Sequence, residues 1–296
     1  MENKRKRDWR DRSDRLFVKN QDSLHILMPY LMPGRTNNEA VLTDIIDIAR
    51  IKEYVNRRNA ENPSYKYSWF QVITAAIAKT IYLRPKMNYF ISGHRLYERR
   101  NIECAFVVKR TFDDHSEETE AKWIVDLNGG SPIEQMHTYL ENIVTKVRVK
   151  KELDHTSQSM DFFKHIPGFV TGIIAAVLRF LESFGWYPKA FQIDDPIYSS
   201  VFISNLGSIK MQADYHHIYN WGTNSFFVVI SEMKKRLIIN DDNSTEIKDT
   251  VKLAFTIDER IADGYYFAQS IKLLRYLLQN PELLEKDFKE PVEMAD

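Results

Sequence analysis

The sequence predicts a single α+β domain. Segments with helical spacing of apolar residues are interspersed with short apolar runs bounded by turn residues. No regular strand–helix–strand alternation of the kind that builds a parallel sheet is present, and no repeat, glycine linker or low-complexity tract divides the chain. At 296 residues and 44% hydrophobic content, the chain carries enough apolar material for a sizeable core.

The first fifteen residues, MENKRKRDWRDRSDR, mix both signs of charge with no apolar stretch. That excludes a secretory signal or spanning helix at this end and reads as a solvated or intersubunit arm, taken here as residues 1–24. Residues 25–290 are read as the domain and 291–296 as a tail. Residues 42–48 (LTDIIDI) predict a strand, and 49–59 a helix with Ile51, Tyr54 and Val55 on one face. Ser68 is placed to cap a helix over 69–83, which must end before Pro85 because the residue preceding a proline avoids the helical region.

The period then changes. Residues 89–111 (YFISGHRLYERRNIECAFVVKRT) are short apolar runs separated by Gly93 and a charged bend at 98–101, the pattern of antiparallel strands, and 120–125 add another. Ser131, Pro132 and Glu134 have the spacing of a cap, the first helical position and the third for a helix through Ile133, Met136, Leu140, Ile143 and Val147, followed by an exposed stretch at 146–152. Helices are expected at 160–165 and 167–184, the second stopped by Gly185 and Pro188. The uncharged run 166–178 (IPGFVTGIIAAVL) is well short of the ~20 residues that cross a bilayer, so it reads as a buried helix. Strands follow at 199–204, 225–230, 236–239 and 251–257, with a turn at 241–243. A last helix, 264–278, aligns Phe267, Ile271, Leu274 and Leu278 and ends at Asn280-Pro281.

Lys+Arg and Asp+Glu both number 41, so no net field draws the molecule to nucleic acid or an anionic membrane. The expected compartment is the cytoplasm. The single cysteine, Cys104, lies in the apolar run IECAFVV and reads as a buried structural thiol with no disulfide partner. No glycine-rich phosphate loop, zinc spacing or nucleotide fingerprint is present, and no metal is expected.

Three motifs carry a family resemblance: ISNLGS at 203–208, FTIDERIADG at 255–264 and LLQNPELL at 277–284. Together with MPGRTNNEAVLTDIIDI at 32–48, they resemble the acyltransferase family of chloramphenicol acetyltransferase and the catalytic domains of 2-oxo acid dehydrogenase dihydrolipoyl acyltransferases. LHILMPYLMPGR at 24–35 and YHHIYNWGT at 215–223 suggest a bacterial branch without the swinging-arm domain, so no lipoyl group is expected on this chain. The resemblance spans about residues 25–290. It implies a chloramphenicol-acetyltransferase-like α+β fold, a mixed or antiparallel sheet with flanking helices, and a homotrimer that can build a larger assembly.

It also implies chemistry. In this family a histidine takes the proton of an acceptor that attacks an acyl-CoA carbonyl, while a serine hydroxyl holds the oxyanion. Coenzyme A or acyl-CoA is thus the implied substrate. Ser204 matches the serine, Asp263 and Gly264 match the Asp-Gly that follows the histidine, and Glu259 stands at the histidine position itself. Asn205 adjoins the serine as a structural residue of the site. A carboxylate of ordinary pKa, about 4.3, is a poor acceptor for a thiol proton near 8.5. Either burial in an apolar channel lined by Phe255 or Tyr265 makes Glu259 a weak base, or Glu259 pairs with Arg260, Arg35 or a neighbouring subunit in an inactive site. The first reading is an acyltransferase transferring to a thiol, hydroxyl or amine; the second is an inactive trimeric scaffold or acyl-CoA-binding protein. The resemblance further implies that Asp263 pairs with an arginine, with Arg35 the first candidate and Arg260 the second. His216 and His217 are alternative bases, though adjacent side chains on an extended chain point to opposite faces.

Overall fold

The computed structural model describes residues 8–109, 118–146, 166–187, 192, 195–240 and 242–294. A large mixed sheet is its frame, with strands β2 (Glu39–Asp47), β5 (Glu103–Lys109), β6 (Glu118–Ile124), β7 (Val201–Asn205), β8 (Phe226–Ile230), β9 (Lys234–Ile239) and β10 (Thr245–Asp258). The order is β2-β10-β8-β7-β5-β6, and β9 pairs with the first half of β10. β7 runs parallel to both β5 and β8, and the other pairings are antiparallel.

β8 is apolar at every position, as are the middle of β5 from Cys104 to Val108 and the first three residues of β7, because both of their faces are covered. Phe106, Ile203, Val228, Phe255 and their same-face neighbours pack against the helices α2 (Ala49–Ala60), α3 (Trp69–Leu83), α4 (Pro132–Thr145) and α6 (Gly264–Gln279). The alternate residues Ala105, Phe202, Phe227, Val229 and Ala254 face the other way, where Ala213 and Ile218 of the loop after β7 cover them. Cys104 is fully buried on β5, and burial pushes its thiol pKa up, as the sequence reading requires.

The expected caps form. The Ser68 N–H donates to Gln71 Oε1 at the start of α3, and Ser131 Oγ accepts from Glu134 N at α4. The Glu134 carboxylate does not reach back to its own helix start. It accepts from Arg58 and from Tyr67 Oη, tying α4 to α2.

The structure adds to the sequence reading at several points. The strands expected in 89–111 form, but in two sheets: β3 (Tyr89–Ser92) and β4 (Arg95–Arg99) pair antiparallel in a separate small sheet, while β5 pairs antiparallel with β6 in the large one and lies parallel to β7. The segment around Cys104 is apolar on both faces, which suits a central strand and not an exposed hairpin. Part of the charged N-terminal stretch is docked: β1 (Arg15–Phe17) pairs with β4, Asp11 accepts from Phe17 N, and the Arg15 guanidinium lies over the Phe90 ring. A helix missed in the sequence, α1 (Ser23–Leu31), is capped by Asp22, which accepts from His25 N.

Finally, α5 (Gly168–Ser183) exists as predicted but is not buried. Phe169, Ile173, Val177 and Phe180 form an outward stripe, each more than half exposed, and Glu182 is the helix's one buried residue. Periodicity shows that a helix has an apolar stripe but not whether its own chain covers it. The helix expected at 160–165 and most of 146–152 lie outside the described residues. Among the described residues no helix is long and apolar enough to cross a membrane, and no group of three or more metal-ligating side chains occurs.

Candidate active site

Ser204, next to the C-terminal end of β7, lines a cavity of about 530 Å3 whose walls include Trp69, Phe70, Phe106, Leu140 and Val144. Asn205 to Ile209 supply its polar edge. Among the described residues, Ser204 Oγ makes no hydrogen bond, and the buried Asn205 Oδ1 has no partner. Two adjacent polar side chains are therefore unspent at the wall of an apolar channel, an arrangement suited to holding an oxygen or amide of a ligand. Gly207 keeps the channel edge close to its support: a Cβ there would lie 2.5 Å from Ser231 O and 3.0 Å from Trp69 Cη2.

At the opposite end of the sheet, β10 ends in Asp258, whose carboxylate is fully buried. Arg260 grips it with two nitrogens, Nε to Oδ1 at 2.8 Å and Nη2 to Oδ2 at 2.7 Å, and Arg35 Nε lies 3.7 Å from Oδ2. Arg260 Nη1 donates to Met32 O and Pro33 O, while Arg35 donates to Tyr219 O and Ile91 O. The two buried arginines thereby join β10, the segment after α1 and the loop before β8. Burial presses the Arg35 guanidinium pKa down, and the neighbouring Asp258 opposes that shift.

Asp263 pairs with neither arginine, contrary to the expectation. It caps α6, with Oδ1 accepting from Tyr266 N at 2.8 Å, and that bond holds its carboxyl below the usual range. The reason is position: Asp263 precedes a helix whose first amides need an acceptor, while Asp258 ends a buried strand where a cation must be neutralised. Asp258 was not singled out in the sequence. The available signal is Asp-x-Arg at a strand end, which puts both side chains on one face. Gly264 has open space where a Cβ would be, so its own chain does not demand glycine there.

Glu259 is exposed, with its N–H donating to Asn38 O. The apolar channel expected around it does not form within one chain: Phe255 is in the core and Tyr265 is 76% exposed. Nor does Glu259 make an ion pair with Arg260 or Arg35, both of which turn to Asp258.

Register measures how far apart the two halves stand. Ser204 is level with Val229, which is level with Ala254, and Glu259 lies five residues further along the β10 direction. That is about 17 Å along the strands and about 10 Å across two strand spacings, roughly 19 Å in all. One chain does not bring Ser204 and Glu259 together.

His216 lies between them. Its ring stacks on Phe227 at 4.1 Å, and Phe227 is level with Phe202, two residues before Ser204 on the same face. His216 Nδ1 donates to His217 O at 2.9 Å, and the His217 ring meets Tyr219 edge-on. The loop carrying both is pinned by Glu39, which accepts from Tyr215 Oη and Ile218 N.

Residues 189–285 match the family model of the 2-oxoacid dehydrogenases acyltransferase catalytic domain, the stretch holding all three motifs. Solved structures align over most of the chain. The dihydrolipoamide acetyltransferase of Azotobacter vinelandii is 16% identical with a TM-score of 0.59, covering 90% of this chain and 94% of that one. The fold is that of the acyltransferase catalytic cores. The cubic core of the pyruvate dehydrogenase multienzyme complex is 14% identical with a TM-score of 0.58, covering 90% and 93%. A chloramphenicol acetyltransferase is 11% identical with a TM-score of 0.52, covering 89% and 99%. No curated protein sequence matches the chain. The domain, which has the fold of these catalytic cores, thus carries the Ser204 channel at one end of its sheet and, at the other, the segment holding Asp258, Glu259 and Asp263.

Proposed function

We propose that the protein is a CoA-dependent acyltransferase whose site forms between copies, in a homotrimer, where the Ser204 channel of one subunit meets the Glu259 edge of the next. The roughly 19 Å between these residues in one chain carries this reading, since a second copy can bring a Glu259 edge to the Ser204 channel where one chain does not. The Azotobacter vinelandii relative supports the residue assignment: its catalytic mechanism is described through a serine, a histidine and an asparagine, the last two spaced by four like Glu259 and Asp263. A cubic core among the similar structures supports a trimer able to build a larger assembly. We assign it to the cytoplasm.

In the proposed step an acceptor thiol, hydroxyl or amine attacks the acyl-CoA carbonyl carbon, and the carbonyl π electrons move onto oxygen. The Ser204 hydroxyl donates to that oxyanion, a contact realised only as charge develops. Glu259, or His216 or His217, takes the acceptor's proton and returns it to the CoA thiolate as the tetrahedral intermediate collapses. The unspent Asn205 side chain orients the ligand beside Ser204. The exposure of Glu259 favours a second reading, an acyl-CoA-binding scaffold that does not turn over.

Calorimetry with acetyl-CoA and free CoA, followed by thiol release to lipoamide-like and amine acceptors, separates the readings. Binding with turnover lost at least 100-fold in Ser204→Ala supports the enzyme. Binding without turnover supports the scaffold, and no binding removes CoA from the function.

A further inference from the structure

A second cavity, of about 440 Å3, lies between α1, β3 and α5, and Ser204 and Glu259 are not among its lining residues. Its charged wall is Arg35, Arg179, Arg260 and Glu182, and Pro29, Pro33 and Ile91 supply apolar surface. Glu182 is only 8% exposed, yet among the described residues its carboxyl makes no hydrogen bond and no ion pair within 4.0 Å. A buried carboxyl in that position is costly unless it is protonated or a ligand completes it. Arg179 likewise has no carboxylate partner among the described residues; its guanidinium sits 5.8 Å from the Trp221 ring centroid.

Charge selects the ligand. Three guanidiniums face two carboxyls, Asp258 and Glu182, and Asp258 is already gripped by Arg260. The remaining balance rejects a cation and accepts an anion. We propose that this cavity binds a short-chain monocarboxylate, its anion facing Arg179, its hydrocarbon part on the proline and isoleucine wall, and protonated Glu182 donating a hydrogen bond to it. Burial supports the protonated form, raising the Glu182 carboxyl to about 7 against the pull of Arg35, Arg15 and Arg179 and with the push of Asp195. A carboxylic acid sharing its proton with a bound carboxylate satisfies both groups, where two ionised carboxylates would repel. His94 also lines the cavity, stacked on Tyr30, and is a second titratable group to be separated from Glu182.

The inference does not rest on acyl transfer, and its test needs no CoA. Butyrate binding to the full chain is measured by calorimetry at pH 6.5 and 8.5, with butyramide and inorganic phosphate as comparison probes. Butyrate should bind at pH 6.5 and at least tenfold more weakly at pH 8.5, since only the protonated Glu182 form accepts it. Glu182→Gln, which keeps a donor at every pH, should abolish that fall, and His94→Gln should leave it in place. Arg179→Gln, a change at an exposed position, should weaken butyrate severalfold at both pH values without altering the fold. Absence of butyrate binding, equal binding of butyramide, tighter binding of phosphate, or a pH dependence that survives in Glu182→Gln and vanishes in His94→Gln would each overturn the proposal.

Discussion

Asp258 and Asp263 lie five residues apart in one motif and do different physical jobs. Asp258 neutralises two buried guanidiniums, so Asp258→Ala leaves charge uncompensated in the interior and should cost about 3–5 kcal/mol. Asp263 satisfies one amide at an exposed helix start, so Asp263→Ala should cost only about 1 kcal/mol. Urea unfolding of the two variants measures the difference; equal losses would place the buried counter-charge elsewhere. Glu182 supplies a pH signature at the same scale. Its carboxyl is raised from near 4.5 to about 7, so the folded state holds a proton that the unfolded chain has released. That contribution is fully present below pH 4.5 and is lost as pH rises through 7, about 3 kcal/mol at most. Chemical denaturation across this window should show the decline in the parent and not in Glu182→Gln.

At the scale of elements, α5 is a helix whose apolar stripe stands exposed, as do Leu24, Ile26, Tyr30 and Leu31 of α1. Phe169, Ile173, Val177 and Phe180 follow helical spacing on one side, and an exposed stripe of this kind marks a contact surface. In the proposed homotrimer it is a candidate subunit contact. Val177→Asp should therefore shift sedimentation toward the monomer while leaving the far-ultraviolet dichroism unchanged; a trimer unaffected by the charge would remove α5 from the interface. Most elements were legible beforehand. Helix α3 was read from Ser68 and Pro85 with both ends in place, because a cap and a proline act within a turn of their own position. Helix α1 was missed because Pro29 lies within it, although Asp22 gave a cap signal. The sequence left open which strand β5 joins, because strand pairing is a contact between distant segments, which local alternation does not encode.

At the scale of the whole molecule, composition and period implied one α+β domain, and the three C-terminal motifs led to the acyltransferase fold that the solved structures share. They also located Ser204, Glu259 and Asp263 along the chain. These features are local: a cap, an apolar alternation or a short motif is written in residues a few positions apart. Tertiary structure decided what those residues meet. It set Ser204 and Glu259 at opposite ends of one sheet, gave Arg35 and Arg260 to Asp258 instead of Asp263, and buried Glu182 beside three arginines. Each outcome depends on strand order and register among segments as distant in the chain as Glu39 and Asp258, and burial and Coulomb energy act on that arrangement in space, not on distance along the chain.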